Sequence, residues 1–263
     1  MISWLQKRLN IAFQYKDLLY ILVVRDLKLK YRRSFLGYLW SILNPLLVMI
    51  VMTIVLSSLF KSDISNFPVY LFTGQLIFNY TVGTTNMAMD SIIGNGALIK
   101  KVYVPKYIFV LSRAASSMVD TVFSLVALLL VMIVTRAQFT VYNLLFPLVL
   151  LQLMVFTFGL SLFLAASCVF FRDIRYIYNA ITTAWTYFTP IFYPIDRLPL
   201  EIQWLIKHLN PIYPYVAQFR DLIYYNRIPG HAIIWAGILY ALGMFAIGLF
   251  VFFRKQDKFI LYI

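Results

Sequence analysis

The stretch VRDLKLKYRRSFLGYLWSILNPLL, residues 24–47, sets five cations (Arg25, Lys28, Lys30, Arg32, Arg33) within nine residues and then turns apolar. From Phe35 to Phe60 no residue is charged, a run of 26. A helix needs about 20 residues to cross the hydrocarbon core, so this run is long enough to span. Cationic loops stay cytoplasmic, so the basic cluster beside the span also fixes which side is inside. The remaining chain is read outward from this point.

Of 263 residues 62% are hydrophobic and 13% charged, with mean hydropathy +0.81. Soluble domains carry about 25% charged residues, so lipid is the expected solvent. Lys and Arg number 23 against 10 acids. In a soluble protein that balance would suggest nucleic acid. Here the cations flank apolar runs, so orientation and anionic lipid headgroups account for them, and no nucleic-acid partner is expected. The single cysteine, Cys168, sits in an apolar run and is read as a packing residue. Lys16, Asp17, Arg25 and Asp26 interrupt the first 35 residues, which argues against a cleaved signal.

The expected fold is an all-α integral membrane protein, one permease-like domain over 1–263. Residues 2–22 alternate apolar and polar at helical spacing, so residues 1–33 are expected to form a cytoplasmic amphipathic segment. Six spans follow, at about 35–60, 69–92, 108–134, 144–171, 177–193 and 231–253, and residues 254–263 form a tail. Pro45 interrupts the hydrogen-bond ladder of span one. Span two carries Gln75, Asn79, Thr84, Thr85 and Asn86, so it is expected to face other helices or an aqueous path. Between spans five and six, Pro194, Pro199, Pro211, Pro214 and Pro229 frame two short helices that re-enter or lie on the outer leaflet. With this topology 17 cations fall inside and six outside, which supports both termini being cytoplasmic.

Five blocks, RDLKLKYRRSFLGYLWSILNPLL (25–47), LIKKVYVPKYIFVLS (98–112), FFRDIRYI (170–177), TPIFYP (189–194) and NPIYPYVAQFRDLI (210–223), carry a family resemblance. In order and spacing the chain resembles the permease subunit of polysaccharide-exporting ABC transporters, the type-2 exporters of O-antigen, capsule and teichoic acid. The resemblance implies a homodimer of six-span half-channels, with two copies of a separate nucleotide-binding subunit that hold ATP and Mg. It implies gate helices within 194–230 and a glycan on an undecaprenyl-pyrophosphate carrier as substrate, with O-antigen the expected polymer. The setting is then the bacterial cytoplasmic membrane. The permease itself would catalyse no covalent chemistry.

The candidate residues follow from both readings. No glycine precedes Lys-Ser or Lys-Thr, so no phosphate-cradling loop is present and ATP must be held by a partner. By resemblance the ATPase docks on the loop of Lys100, Lys101, Tyr103 and Pro105 and on the turn of Arg172, Asp173 and Arg175. Arg25, Lys28, Lys30, Arg32 and Arg33 could receive a pyrophosphate, since Arg binds phosphate bidentately and Lys supplies a point charge. Tyr178, Trp185, Phe188 and Phe192 are spaced 7, 3 and 4, one helical face, and could line a tract for sugar rings, with Tyr38, Phe78 and Tyr80 extending it. The bland alternative for these aromatics is helix packing and an interfacial belt. Tyr213, Tyr215, Phe219, Arg220 and Asp221 mark the outer gate, where Arg220 and Asp221 cap or pair the short helices. Arg113 and Asp120 share a face of span three and are read as polar contacts within the membrane. His208 and His231 have no ligand-spaced partners, and no metal is expected.

Other functions compete with this reading. An exporter of a small lipid or drug would share the architecture with fewer stacked aromatics. An ion-coupled flippase needs deep acids, and Asp120 is the deepest. A membrane glycosyltransferase needs an Asp-x-Asp motif, which the chain lacks.

Overall fold

The computed structural model describes residues 14–30, 32, 34–60 and 64–263, the side chains of 57–60 excepted. The described residues form α-helices, short 3-10 turns and loops. The helices are α1 (Lys16–Lys30), α2 (Trp40–Phe60), α3 (Phe67–Met89), α4 (Gly96–Lys101) and α5 (Tyr107–Val134). They continue with α6 (Phe146–Phe170), α7 (Ile174–Phe188), α8 (Leu200–Leu209), α9 (Tyr213–Ile223) and α10 (His231–Lys255).

Among the described residues four helical stretches are long and apolar enough to cross a membrane: Gly37–Leu56, Tyr107–Val134, Val141–Phe170 and His231–Leu261. The other two expected spans differ for separate physical reasons. α3 has 23 residues, but its amides and hydroxyls lower its hydropathy, and it is buried along nearly its whole length. Neighbouring helices, not lipid, surround it. Its threonines return their hydroxyls to the helix itself, Thr73 to the Tyr70 carbonyl (2.8 Å), Thr81 to Ile77 (3.1 Å) and Thr85 to Thr81 (2.8 Å). No polar group of these side chains is left without a partner in an apolar surrounding. α7 has 15 residues, about 22 Å of helix, which is shorter than the hydrocarbon core.

α7 is also displaced from the limits expected of span five: it begins at Ile174 and ends at Phe188. Thr189 takes an extended backbone because Pro190 follows and disfavours a helical residue before it. The N-terminal helix also differs. It runs through the cation cluster to Lys30, where residues 2–22 were expected; residues 2–13 lie outside the described residues. The short helices expected in 194–230 are present as α8 and α9. The loop expected over 94–106 contains α4.

α3 sits at the centre, packed against α2, α5, α6 and α9. α6 and α10 approach most closely, because Gly159 on one faces Gly248 on the other with no side chain between them. Asn66 caps α3 by accepting the Val69 N–H, and its amide donates to Thr135 at the end of α5 (2.9 Å). Thr140 and Asn226 meet at the same end, as do Tyr70 and Tyr193. The opposite end gathers α1, α4, the 171–173 turn and the 3-10 turn Gln256–Leu261, which follows α10. Most of the described lysines and arginines belong to this second, basic end.

Candidate functional site

Helices α2, α3 and α5 line an open cavity of about 740 Å³. α2 contributes Trp40, Ser41 and Asn44 from its first turns, and the helix continues through Pro45. α3 contributes Gln75, Asn79 and Tyr80; Gln75 and Asn79 are one turn apart and share a face. α5 adds Ser117, Asp120, Thr121 and Ser124, again one face. Lys30 of α1 borders the cavity and pairs with Asp120 at 2.9 Å, and the Ser41 hydroxyl lies 3.5 Å from the same carboxylate. Amides, hydroxyls, one ion pair and an indole lining a space between apolar helices suit a ligand rich in hydroxyl groups. Of the polar residues that weaken α3 as a lipid-facing span, the two amides Gln75 and Asn79 line this space.

Two of the clustered cations, Arg25 and Lys30, are engaged with protein. Arg25 donates to Asn95 (3.1 Å) and to Asp26 (3.2 Å), and Lys30 holds Asp120. Lys28 and Arg32 are exposed, while Arg33 lies outside the described residues. The sequence reading passed over Asp26. Its carboxylate is 2% exposed and accepts from Arg113 of α5 at 2.8 Å on one oxygen and from Arg25 on the other. The signal was an acid alone inside a basic run.

The aromatic set is split. Phe192 lies beyond the end of α7 and so does not share its face, a correction forced by Pro190; its ring stands 6.4 Å from that of Tyr187. Tyr178 is 6% exposed, with its hydroxyl 2.8 Å from that of Thr85. Trp185 meets Phe78 edge-on and donates its indole N–H to Asn210 (2.9 Å), and Phe78 is itself buried. Tyr80 is buried among protein atoms and borders the cavity. Tyr38 and Phe188 keep exposed faces.

Both expected docking loops lie at the basic end. Tyr103 is 94% exposed, beside exposed Lys100 and Lys101, with Pro105 following in the turn to α5. Arg172 and Asp173 are exposed, and Arg175 pairs with Asp90 after α3. Lys100 donates to the Ile263 carbonyl and Lys106 to that of Gln256 (2.6 Å). Burial pushes the Lys106 ammonium pKa down, and Asp257 partly offsets this.

At the far end Arg220 is buried. It donates to the Tyr70 hydroxyl (3.0 Å) and the Ile191 carbonyl (2.7 Å), with the guanidinium 3.7 Å from the Tyr70 ring centroid. Burial lowers its pKa. Asp221 accepts from Arg227 at 2.7 Å; burial raises its carboxyl pKa, and Arg227 pulls it back. Tyr215 and Phe219 are fully buried, Tyr213 partly, and the Tyr215 hydroxyl donates to the Gly237 carbonyl. These residues knit α9 to α3, to α10 and to the 189–194 turn.

A model of the ABC-2 type transporter family matches residues 17–224. The chain belongs to this family. Its relatives include an "O-antigen export system permease protein RfbA" of Myxococcus xanthus, 33% identical over 219 residues, 82% of this chain and 84% of the relative. A protein of the same description from Klebsiella pneumoniae is 29% identical over 260 residues, 97% and 98% of the two chains. A further one from the same organism is 27% identical over an equal length. The ABC-2 match covers every element of the cavity and both loops, while α10 is covered by the Klebsiella relatives. An ABC-2 membrane chain is a transport subunit, which fits four membrane-capable helices among the described residues, two of which, α2 and α5, line the polar space together with α3.

Proposed function

We propose that this ABC-2 chain is the membrane subunit of an exporter that moves lipid-linked polysaccharide, of the O-antigen class, across the bacterial cytoplasmic membrane. The observation that carries the reading is near-complete alignment with chains described as O-antigen export permeases. The polar cavity supports it. Gln75, Asn79, Asn44 and Ser124 offer neutral hydrogen bonds to sugar hydroxyls, the Lys30 and Asp120 charges beside them are paired with each other, and Trp40 offers a flat face.

In this reading two copies of the chain pair, and two copies of a nucleotide-binding subunit hold ATP and Mg at the basic end. The exposed Tyr103 and Arg172–Asp173 tips face that subunit. Six crossings are made: α3 crosses sheltered by its neighbours, and α7 crosses together with the 189–194 turn. α8 and α9 form the outer gate, and both termini are cytoplasmic. Exposed Lys28 and Arg32, with Arg33, meet the pyrophosphate of the carrier lipid, while Arg25 and Lys30 hold the helix that presents them.

The test is depletion of the chain in its own cells. Accumulation of undecaprenyl-linked polymer at the inner leaflet, with surface polymer lost, is expected. Unchanged surface polymer excludes the reading.

A further inference from the structure

We propose that Asp26 is a positioning residue that fixes the docking helix α4 to the bundle and carries its displacement to the cavity wall. The inference rests on the export reading above and adds the route by which the ATPase acts.

α4 has six residues, far fewer than an isolated helix needs to persist, so its attachments set its position. Asn95 immediately precedes it and is buried; its amide donates to the Ser91 carbonyl (2.7 Å) and its oxygen accepts from Arg25 (3.1 Å). Arg25 also grips one oxygen of Asp26, and Arg113 of α5 takes the other at 2.8 Å. One carboxylate thus joins α1, α5 and the entrance to α4. Hydrogen bonds to ionised groups are the strong, directional ones, and burial strengthens them further. Without the acid, Arg25 and Arg113 would face each other with no intervening charge.

The same two helices meet again at Lys30 and Asp120, on the cavity. Lys30 is four residues after Asp26 on α1, and Asp120 is seven after Arg113 on α5. The two ion pairs therefore run along one α1–α5 seam, whose first joint touches α4 and whose second forms cavity wall. A push on α4 that tilts α1 against α5 changes the cavity at its Lys30 edge.

The experiment uses the intact complex with its ATPase, reconstituted in vesicles with lipid-linked polysaccharide, measuring polymer moved and ATP hydrolysed separately. Asp26→Asn keeps the shape and removes the charge. The expected result is an assembled complex that hydrolyses ATP while polymer moved per ATP falls on the order of tenfold. Asp26→Glu should restore the ratio. Asn95→Ala, which breaks the joint to α4 but leaves Asp26 and Arg113 in place, should lower it as well, and this variant decides the matter should Asp26→Asn fail to assemble. An unchanged ratio in the assembled variants overturns the positioning role. A wild-type complex that hydrolyses ATP without moving polymer overturns the export reading instead.

Discussion

Gly159 and Gly248 face each other where α6 crosses α10, so closely that a Cβ on Gly248 would overlap the backbone carbonyl of Gly159. In lipid, helices gain little from excluding apolar surface, and close backbone approach between small residues supplies the packing instead. This crossing sets the distance between the last helix and the rest of the bundle.

Gly248→Ala must therefore push the two helices apart. Overpacking of this kind costs about 1–3 kcal/mol, read as a lower melting temperature in detergent and less folded protein in membranes. Gly243→Ala is the control on the same helix, because a Cβ there meets nothing within 4 Å. Equal melting of the two variants would remove the crossing as a determinant.

Arg220 is held by a donor fork that lysine cannot reproduce. Arg220→Lys leaves carbonyls of the 189–194 turn without their partner in a buried site, at a cost of about 3 kcal/mol. Gly74→Ala should act in the same direction, since a Cβ there would stand 2.6 Å from the Arg220 Nη2. Thermal unfolding checks both; wild-type stability in Arg220→Lys contradicts the assignment.

Phe259 is fully buried against Phe170 and Phe252, with the Lys106 ammonium 5.8 Å from its ring centroid. Phe259→Ala should cost about 3–5 kcal/mol locally and loosen the brace formed by the 3-10 turn, whose Gln256 carbonyl holds Lys106 before α5, and by the Ile263 carbonyl beyond it, which holds Lys100 of α4. Limited proteolysis should then cut within 96–106 faster than in wild type. An unchanged digestion pattern would show that the brace is idle.

Gln75→Leu with Asn79→Leu removes both α3 amides from the cavity lining at roughly conserved volume. Assembly should be retained and export should fall on the order of tenfold, as expected when several modest hydrogen bonds to the polymer are lost. Full export from a correctly assembled double variant would place the polymer's path elsewhere.

The basic-to-apolar switch at residues 24–47 made the membrane class and the start of α2 readable, because charge and hydropathy are local properties. The polar side chains of α3 announced a helix shielded from lipid, and burial on nearly every side is what the fold gives it. Trp185 shows where local reading stops. At helical spacing it resembled a lining residue, yet its N–H is committed to Asn210, 25 residues on, across a turn that no periodicity reports. Asp26 was hidden for the same reason: its partner Arg113 is distant in sequence, and the surrounding cations made it look incidental. The end of α7 was readable in principle from Pro190, which a continuous aromatic pattern obscured.

The central claim is tested most directly by purifying the tagged chain gently from its own cells and assaying what elutes with it. The account predicts a stoichiometric ATPase subunit and, after reconstitution, ATP-dependent appearance of lipid-linked polysaccharide on the far side of the vesicle membrane. A chain that elutes without an ATPase and moves polymer in response to an ion gradient alone would contradict it.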